Sequence, residues 1–253
     1  MNQETKDIIP AAILSEFKTF PNQGAIWEII DKKKTGKLYK LPSEAVLIVE
    51  NCTDPFIFIA GPLDAESVKN VSALASYKTF PMVYCNPEYH SLLLRRGWKF
   101  HFRAALSLKN PDVLVPLNPA IDIQPLNNAD LLKLCAWYED RTTLYGSEEN
   151  FLQHGLGYAL CHGTRVVSEA YASIGGGFAE LAVTTHPNFQ SRGYATHVSS
   201  HLIRDCLNAN ITPQWSCNVN NTASLNTALK LGFEISDYHT FLIPDWAEPH
   251  PFA

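Results

Sequence analysis

The stretch ELAVTTHPNFQSRGYAT, from Glu180 to Thr196, passes from β-forming residues through a short polar loop into a segment with helical periodicity. The pattern predicts a strand over 178–185 and a helix over 192–208, whose apolar residues share one stripe. The loop between them has the form Gln-x-x-Gly-x-Ala. A strand, a short loop and a helix in this order are typical of an α/β fold.

The loop has the features of a phosphate-binding site. The first turn of a helix leaves backbone N–H groups without partners and carries partial positive charge, which suits a pyrophosphate. Gly193 and Ala195 are small enough for phosphates to approach the backbone, and Arg192 adds a cation. Taken alone, the motif also fits an ordinary helix start. The sequence holds no G-x-x-x-x-G-K-[ST] and no G-x-G-x-x-G that opens a helix, and Gly175 to Gly177 indicate a turn.

Composition and charge exclude several classes of protein. The 253 residues fit one or two domains, and 46% hydrophobic residues allow a sizeable core. A net charge of −5 argues against nucleic-acid binding, and the short run Lys32 to Lys34 is expected in a solvated loop. No window resembles a secretory signal or a membrane span. Six scattered cysteines without C-x-x-C spacing indicate reduced thiols. We therefore expect a cytoplasmic protein with no nucleic-acid or membrane partner.

A proline-rich segment divides the chain. Residues 110–120 contain three prolines, which break helices and strands, and predict one domain over 1–118 and a second over 119–253. The second part then alternates between strand and helix patterns. Its predicted strands cover 121–124, 156–161, 165–173, 178–185, 213–217 and 233–243, and its predicted helices cover 129–138, 192–208 and 222–231. These elements predict an α/β fold with a mixed sheet.

The first part contains a weak echo of the second. NPEYHSLLLRRGW, from Asn86 to Trp98, aligns with NTASLNTALKLGF, from Asn221 to Phe233. Asparagine, leucine, a basic residue, glycine and an aromatic residue fall in register, and an apolar strand follows each copy. The first part has Gly61 to Ala65 where the second has the Gln190 loop, so we expect it to bind no phosphate. The echo predicts an internal duplication with one degenerate copy.

Two motifs in one order carry a family resemblance. From about Ile121 to Ile243, the chain resembles the GNAT superfamily of acyl-CoA N-acyltransferases. The loop from Gln190 to Ala195 resembles the family's pyrophosphate loop, and Asn221 to Phe233 resembles its fourth helix and the turn after it. The run from Glu180 to Ala195 most resembles the branch that contains the zwittermicin A resistance acetyltransferase. The resemblance implies an α/β GNAT fold, with a mixed and splayed central sheet flanked by helices, after an N-terminal degenerate GNAT-like α/β domain.

The resemblance also implies acetyl-CoA as the co-substrate and assigns its contacts. Backbone groups at Val183 and Thr185 would pair with the pantetheine arm and polarise the acetyl carbonyl. Asn221 and Ser224 would lie near the sulfur end, although asparagine is also a good helix cap. The implied cofactor-binding residues are Val183, Thr184, Thr185, Gln190, Ser191, Arg192, Gly193, Tyr194, Ala195, Thr196, Asn221 and Ser224.

The catalytic groups are less fully assigned. An amine must lose a proton before it attacks, so a carboxylate base is expected near the acetyl group. Glu180 is the first candidate and Glu169 the second, and each is alternatively an exposed or paired strand residue. The family often places a tyrosine acid on its fourth helix, but this sequence has Ala228 there. Tyr238 and Tyr194 are the remaining candidates for the acid.

The sequence leaves three functions open. The leading hypothesis is direct acetyl transfer to a primary amine, and the alternatives are a non-catalytic acyl-CoA-binding or sensing module and a transferase for another acyl donor. The first part would shape the amine pocket or a homodimer interface, and substrate residues would lie on loops such as 142–153. His197, His201 and Asp205 share one helix face but lie opposite the apolar stripe, so we expect no metal. Cys217 is expected to be a buried, inert thiol.

Overall fold

The computed structural model describes residues 2–3 and 9–247. The strands are β1 Asn2–Gln3, β2 Gly36–Lys40, β3 Val46–Glu50, β4 Phe56–Ala60, β5 Met82–Cys85, β6 Trp98–Leu108, β7 Ile123–Pro125, β8 Leu156–His162, β9 Arg165–Gly175, β10 Phe178–Thr185, β11 Thr212–Asn218 and β12 Phe233–Pro244. The helices are α1 Ala11–Phe17, α2 Gln23–Ile30, α3 Ala65–Ala75, α4 His90–Leu94, α5 Ala129–Lys133, α6 Tyr138–Tyr145, α7 Glu148–His154, α8 Tyr194–Asn208 and α9 Thr222–Lys230. Within these residues, no helix is long and apolar enough to cross a membrane.

All twelve described strands form one mixed sheet, in the order β1-β2-β3-β4-β5-β12-β6-β11-β10-β9-β8-β7. The order reads the same from both edges if β1 to β6 are matched with β7 to β12. In each arm the fourth and fifth strands are parallel, and the neighbouring pairs are antiparallel. The sheet therefore contains two copies of one five-stranded arm, which is the arrangement that the sequence echo predicts.

The sixth strand of each half is exchanged with the other half. β12 pairs with β5 and with β6, and β6 pairs with β12 and with β11. Each half therefore supplies a central strand to the arm of the other. The predicted boundary between 118 and 119 falls in the irregular segment between β6 and β7, and the division into two domains stays a prediction.

The aligned blocks occupy equivalent positions. Each one follows the fifth strand of its arm, contains a helix (α4 or α9) and turns into the exchanged strand. Both turns use a glycine with positive φ, 76° at Gly97 and 86° at Gly232, a conformation that glycine adopts without strain. The register of the two sequences therefore reflects a shared local structure.

Helices cover both faces of the sheet. One face of the second arm is packed by α8 and α9, around Val198, Leu202 and Ala228. On its other face, α2 from the first half contacts β9 and β10. A helix from the first half therefore packs directly on two strands of the second arm.

Most predicted elements of the second half are confirmed, with shifts of one or two residues, and two predictions are wrong. The predicted helix 129–138 stops at Lys133, because Leu134 is 56% exposed and does not share the buried stripe of its neighbours. The loop expected over 142–153 is mostly helical, because Ser147 caps α7 by accepting a hydrogen bond from Asn150 N at 3.1 Å. The helix expected from Arg192 starts at Tyr194, because Gly193 is left-handed.

Candidate functional site

A cleft of about 810 Å³ runs between the two halves. Its floor is formed by β9, β10 and β11, one end reaches the N-termini of α8 and α9, and its other wall comes from α2, β3 and β6. Most of the predicted site residues line it: Glu180, Val183, Thr184, Thr185, Gln190, Ser191, Gly193, Tyr194, Ala195, Thr196, Asn221 and Ser224. The cleft therefore brings together side chains that the sequence places more than forty residues apart.

The cleft opens where two parallel strands separate. β10 and β11 pair only from Phe178 opposite Thr212 to Glu180 opposite Gln214, although β10 continues to Thr185. Beyond that pair the strands diverge, and Trp215 and Ser216 of β11 line the gap. The divergence leaves an edge of β10 open to a ligand.

The open edge carries the backbone groups of alternate residues. Ser168 Oγ donates to Thr184 O at 3.0 Å, and His186 N donates to Val167 O at 2.8 Å, so these backbone groups point toward β9. Because the peptide groups of a strand alternate in direction, those of Val183 and Thr185 point toward the gap. Gln190 Nε2 donates to Thr185 O at 3.2 Å and ties the loop to the end of the strand.

The N-terminus of α8 faces the same cleft. Gly193 occupies the cap position with φ 79°, and no described side chain caps this end of the helix. The first N–H groups of α8 are therefore available for an anion. Thr196 Oγ1 donates back to Gly193 O at 2.6 Å, which fixes the first turn.

The start of α9 lines one end of the cleft. Asn221 caps this helix, because its Oδ1 accepts a hydrogen bond from Ser224 N at 3.0 Å. Ser224 Oγ accepts from Trp215 Nε1 at 3.0 Å. The capping role that the sequence left open for Asn221 is therefore confirmed, and the residue also lines the cleft.

Glu180 lies at the last paired position before the strands diverge. Among the described residues, its carboxylate has no hydrogen bond and no ion pair within 4.0 Å, and it faces the cleft. Desolvation by the surrounding protein raises the pKa of Glu180 to about 7, against the opposing effect of the Arg103 charge. A carboxyl group with a pKa near neutrality and no partner suits proton transfer.

The family of the chain follows from comparison with known proteins. A family model described as GNAT acetyltransferase matches residues 15–242. The chain belongs to this GNAT acetyltransferase family. The match covers both halves of the molecule, whereas the sequence motifs lie only in the second.

Individual relatives agree with the GNAT fold. The uncharacterized N-acetyltransferase YdfB of Bacillus subtilis (strain 168) is 33% identical over 105 residues, which is 41% of this chain and 39% of that protein. The match thus spans about two-fifths of the relative's length. A GCN5-related N-acetyltransferase-like protein from Streptococcus suis superposes with a TM-score of 0.73 at 22% identity, over 92% of this chain and 96% of its own. A tandem GNAT protein from the clavulanic acid biosynthesis pathway gives a TM-score of 0.60 at 11% identity, over 97% and 94%.

Three predicted site residues lie outside the lining of the GNAT cleft. Glu169 is 1% exposed and forms an ion pair with Arg141 at 2.6 Å. Tyr238 is 61% exposed on β12. Arg192 Nη2 donates to Asn188 O at 3.2 Å, and its guanidinium lies over Phe189 rather than in the cleft.

At the position where the family often has its tyrosine acid, this protein has a buried alanine. Ala228 is fully buried against β11 and β12, in the same cluster as Trp215 and Phe233. A methyl group there cannot donate a proton.

Within the described residues, no group of three metal-ligating side chains is found, and His201 packs against the ring of Tyr158 at 5.4 Å between centroids.

The first half contributes cleft residues that no motif indicated. They include Asn22, Lys34, Glu50, Phe56 and Arg103. The expectation that Lys34 lies in a solvated loop is wrong, because Lys34 is 4% exposed and pairs with Glu50 at 2.9 Å. Of these residues, only Arg103 could have been noticed in the sequence as a candidate site residue, because it is a charged residue inside a predicted apolar strand.

Proposed function

We propose that this protein transfers the acetyl group of acetyl-CoA directly to a primary amine. The observation that carries the proposal is one cleft that joins an uncapped helix N-terminus, an open strand edge and the partner-free carboxylate of Glu180. The helix N-terminus suits a pyrophosphate, and the open strand edge suits an acyl-pantetheine arm. The carboxylate of Glu180 suits an amine. The three lie in the order in which acetyl-CoA and an acceptor would meet.

The cofactor side is held mainly by backbone. The loop from Gln190 to Thr196 would bind the pyrophosphate through N–H groups, and the open edge at Val183 and Thr185 would pair with the pantetheine amides. An N–H on this edge would also stabilise the negative charge that develops on the acetyl oxygen. Asn221 and Ser224 would contact the sulfur end. This arrangement supports acetyl-CoA as the co-substrate.

Glu180 is our proposed base. Every proton that the reaction releases has an acceptor without a second carboxylate. Glu180 removes a proton from the ammonium form of the acceptor, and the free amine then attacks the acetyl carbon. The C–N bond forms, the C–S bond breaks and the sulfur leaves with its electron pair. The amide nitrogen loses its second proton, and this proton neutralises the thiolate. Because a thiol has a pKa of about 8.5, the thiolate leaves without a strong acid, which fits the absence of a hydroxyl at Ala228.

The first half would form the wall of the acceptor pocket. Lys34, Glu50, Phe56 and Arg103 reach the cleft next to Glu180, whereas the residues proposed for acetyl-CoA all lie in the second half. We therefore propose an acceptor-binding role for the first half. The kinship with the zwittermicin A resistance branch stays a prediction from sequence.

One observation favours a second candidate function. A methyl group at Ala228 leaves no hydroxyl where the family often has its acid, so a protein that binds acyl-CoA without transferring the acyl group would have the same cleft. Such a sensing module needs no base. The free carboxylate of Glu180 is the feature that favours transfer over sensing.

A binding measurement followed by a turnover measurement tests the proposal. A ligand at 100 times its Kd stabilises a protein by about 2.7 kcal/mol, so acetyl-CoA and CoA should raise the Tm while ATP should not. Release of free CoA thiol on addition of primary amines would then support transfer. A raised Tm without thiol release from any amine would favour the sensing module, and no response to either CoA species would remove both candidates.

A further inference from the structure

The buried guanidinium of Arg103 and the half-buried carboxylate of Glu180 face the acceptor end of the cleft. Each charge favours the charged form of the other, but among the described residues neither group forms an ion pair within 4.0 Å. Arg103 is 7% exposed, and among the described residues no carboxylate oxygen lies within 4.0 Å of its guanidinium. Its Nε donates to Ser216 Oγ at 3.1 Å and its Nη2 donates to Ser216 O at 3.0 Å. Its Nη1 contacts the sulfur of Met82 at 3.8 Å, and sulfur is a weak acceptor. All three partners of Arg103 are therefore neutral.

A second cation in the same wall shows the usual arrangement. Lys34 Nζ donates to Glu50 Oε1 at 2.9 Å and to Ser173 Oγ at 3.2 Å. The other oxygen of Glu50 accepts from Phe56 N at 3.0 Å. This pair is neutral as a whole, and both carboxylate oxygens are engaged. Buried charges in proteins are normally paired in this way, so Arg103 is the exception in this wall.

The guanidinium of Arg103 is held in place with donor capacity to spare. Arginine has five N–H donors, and the three contacts to Ser216 and Met82 leave at least one that these contacts do not use. The ring of Phe56 lies under the guanidinium, with the central carbon 5.3 Å from the ring centroid. A fixed, partly unsatisfied guanidinium that lines a cleft is suited to an anionic group.

We propose that the acceptor is a zwitterion of the amino acid type, whose amine meets Glu180 and whose own anionic group binds Arg103. The inference rests on the proposed acetyl transfer and names its substrate class. A cleft with one free carboxylate and one free guanidinium matches a small molecule that carries one cation and one anion. A polyamine would leave Arg103 unpaired and would place a second positive charge beside it. A carboxylate and a phosphonate share the required chemistry.

The wild-type protein can be tested first with matched acceptors. The pairs are phenylalanine with 2-phenylethylamine, lysine with cadaverine, and 2-aminoethylphosphonate with ethylamine, each followed by release of CoA thiol. Because a hydrogen bond to a charged group is worth about 1.5–3 kcal/mol, we expect kcat/KM to be about 10- to 100-fold higher for the anionic member of at least one pair. The preferred pair tells whether the anion is a carboxylate or a phosphonate.

Variants at Arg103 then separate recognition from a structural or electrostatic role. In Arg103→Gln, the preference for the anionic member should fall at least about tenfold, while Arg103→Lys should retain part of it because the charge remains. Arg95→Gln is the matched control, since Arg95 lies on the surface away from the cleft. Acetyl-CoA should still raise the Tm of every variant, which checks folding. If Arg103→Gln does not fold, the acceptor pairs with the wild-type protein decide the question.

The outcomes distinguish this inference from the function it rests on. Equal kcat/KM for both members of every pair would overturn the inference and leave acetyl transfer standing. An equal loss for both members in Arg103→Gln, with a shifted pH profile, would overturn it as well, because Arg103 would then act only on Glu180. No thiol release from any amine, with acetyl-CoA still bound, would overturn acetyl transfer and the inference together.

Discussion

The two arms of the sheet have the same strand order, but among the described residues the parallel strands separate only in the second arm. In the first arm, β4 and β5 pair from Phe56 opposite Met82 to Ile59 opposite Cys85, which is the whole length of β5. The following helix, α3, is capped by its own Asp64, whose Oδ1 accepts from Ser67 N at 2.7 Å. In the second arm, the equivalent strands separate after three residue pairs and the equivalent helix has no side-chain cap.

The difference shows that the cleft is lined by backbone N–H and C=O groups that have no partner within the described part of the protein. A buried backbone N–H or C=O that lacks a partner is costly, so an open strand edge and an open helix end persist when water or a ligand satisfies them. In the first arm, β4 pairs along the whole length of β5 and Asp64 caps α3, so the corresponding groups have partners within the protein. The first arm supplies β6 to the centre of the sheet and Arg103 and Lys34 to the wall of the cleft, where we propose that the acceptor binds. The two arms therefore share one architecture, but the same architecture does not give them the same function.

Removal of the proposed base should have the largest effect. Glu180→Gln keeps the shape of the side chain but cannot accept a proton, so we expect kcat to fall by about 10²- to 10⁴-fold. Because the pKa of Glu180 is raised to about 7, kcat/KM of the wild type should rise with pH and level off above about pH 8, and the variant should lose this titration. Rates of thiol release between about pH 5.5 and 9 would show both effects.

The control for this variant lies on the first arm. Glu66 is exposed on α3, where it pairs with Lys69 at 3.0 Å, so Glu66→Gln removes the same charge far from the cleft. It should leave kcat, the pH profile and the acetyl-CoA response unchanged. Unchanged activity in Glu180→Gln would show that a different group accepts the proton.

The matched glycines of the two turns should differ in their tolerance of a side chain. A Cβ at Gly232 would lie 2.0 Å from Asn110 O, whereas one at Gly97 would lie 3.4 Å from a carboxylate oxygen of Asp245. Both positions have positive φ, which costs about 1–2 kcal/mol for alanine. Gly232 O also accepts from Lys109 N and Asn110 N at 2.9 and 3.0 Å, so the clash cannot relax easily.

We therefore expect Gly232→Ala to lower the free energy of unfolding by about 2–5 kcal/mol, as the sum of backbone strain and overpacking. Gly97→Ala should lose only about 1–2 kcal/mol. Urea denaturation of the two variants measures the difference directly. Equal losses would mean that the two turns are not held as differently as the contacts to Asn110 indicate.

A carboxylate can be placed at the uncapped helix end of the second arm, at the position that Asp64 occupies in the first. Gly193→Asp places a carboxylate at the cap position of α8, as Asp64 does for α3, and the nearest atom to a Cβ there is Thr196 Oγ1 at 3.7 Å. The new side chain would occupy N–H groups that the phosphates need and would repel their charge. We expect the Kd for acetyl-CoA to rise about 10- to 100-fold, since a lost hydrogen bond to a charged group costs about 1.5–3 kcal/mol.

Gly193→Ala is the matched control, because it adds the backbone strain without the cap or the charge. Isothermal titration of both variants with acetyl-CoA separates the two contributions. If the aspartate and alanine variants bind equally well, the helix N-terminus is not the anion site.

Sequence alone named most of the second-half residues that line the cleft, and their role in cofactor binding stays a prediction. The Gln190 loop and the Asn221 block are local patterns, because a helix end and a cap depend on residues within one turn. The strands of the second half were likewise predicted from alternation and turn residues. The separation of β10 from β11 came from the family resemblance, since it depends on how two distant strands pair.

The first-half wall of the cleft could not be predicted in the same way. Lys34 and Arg103 reach the cleft only because α2 packs on β9 and β10 and because β6 enters the other arm. Strand exchange joins residues more than a hundred positions apart, and no local pattern reports such a contact. A charged side chain inside an apolar strand indicates that the folded protein supplies a polar partner for it, but the sequence does not name that partner.

The cap of α3 should give the smallest effect and tests whether the two helix ends differ in charge. Hydrogen bonds from the backbone and side chain of Ser67 lower the pKa of Asp64 below its ordinary value. Because the folded-state pKa is lowered, the cap adds stability that is fully present above the unfolded pKa and is lost as pH falls through the folded one. Asp64→Asn caps through its amide oxygen and does not titrate.

The Tm difference between the wild type and Asp64→Asn should therefore be constant above about pH 5 and should change in favour of the variant as pH falls toward about 3. A difference that stays constant through this range would contradict an ionised cap. Acetyl-CoA binding should be the same in both proteins at every pH where they fold, because α3 already has the anion that its N-terminus requires. In our proposal, the helix end of the second arm meets the same electrostatic need only when a phosphate binds, so that one helix end would be structural and the other a binding site.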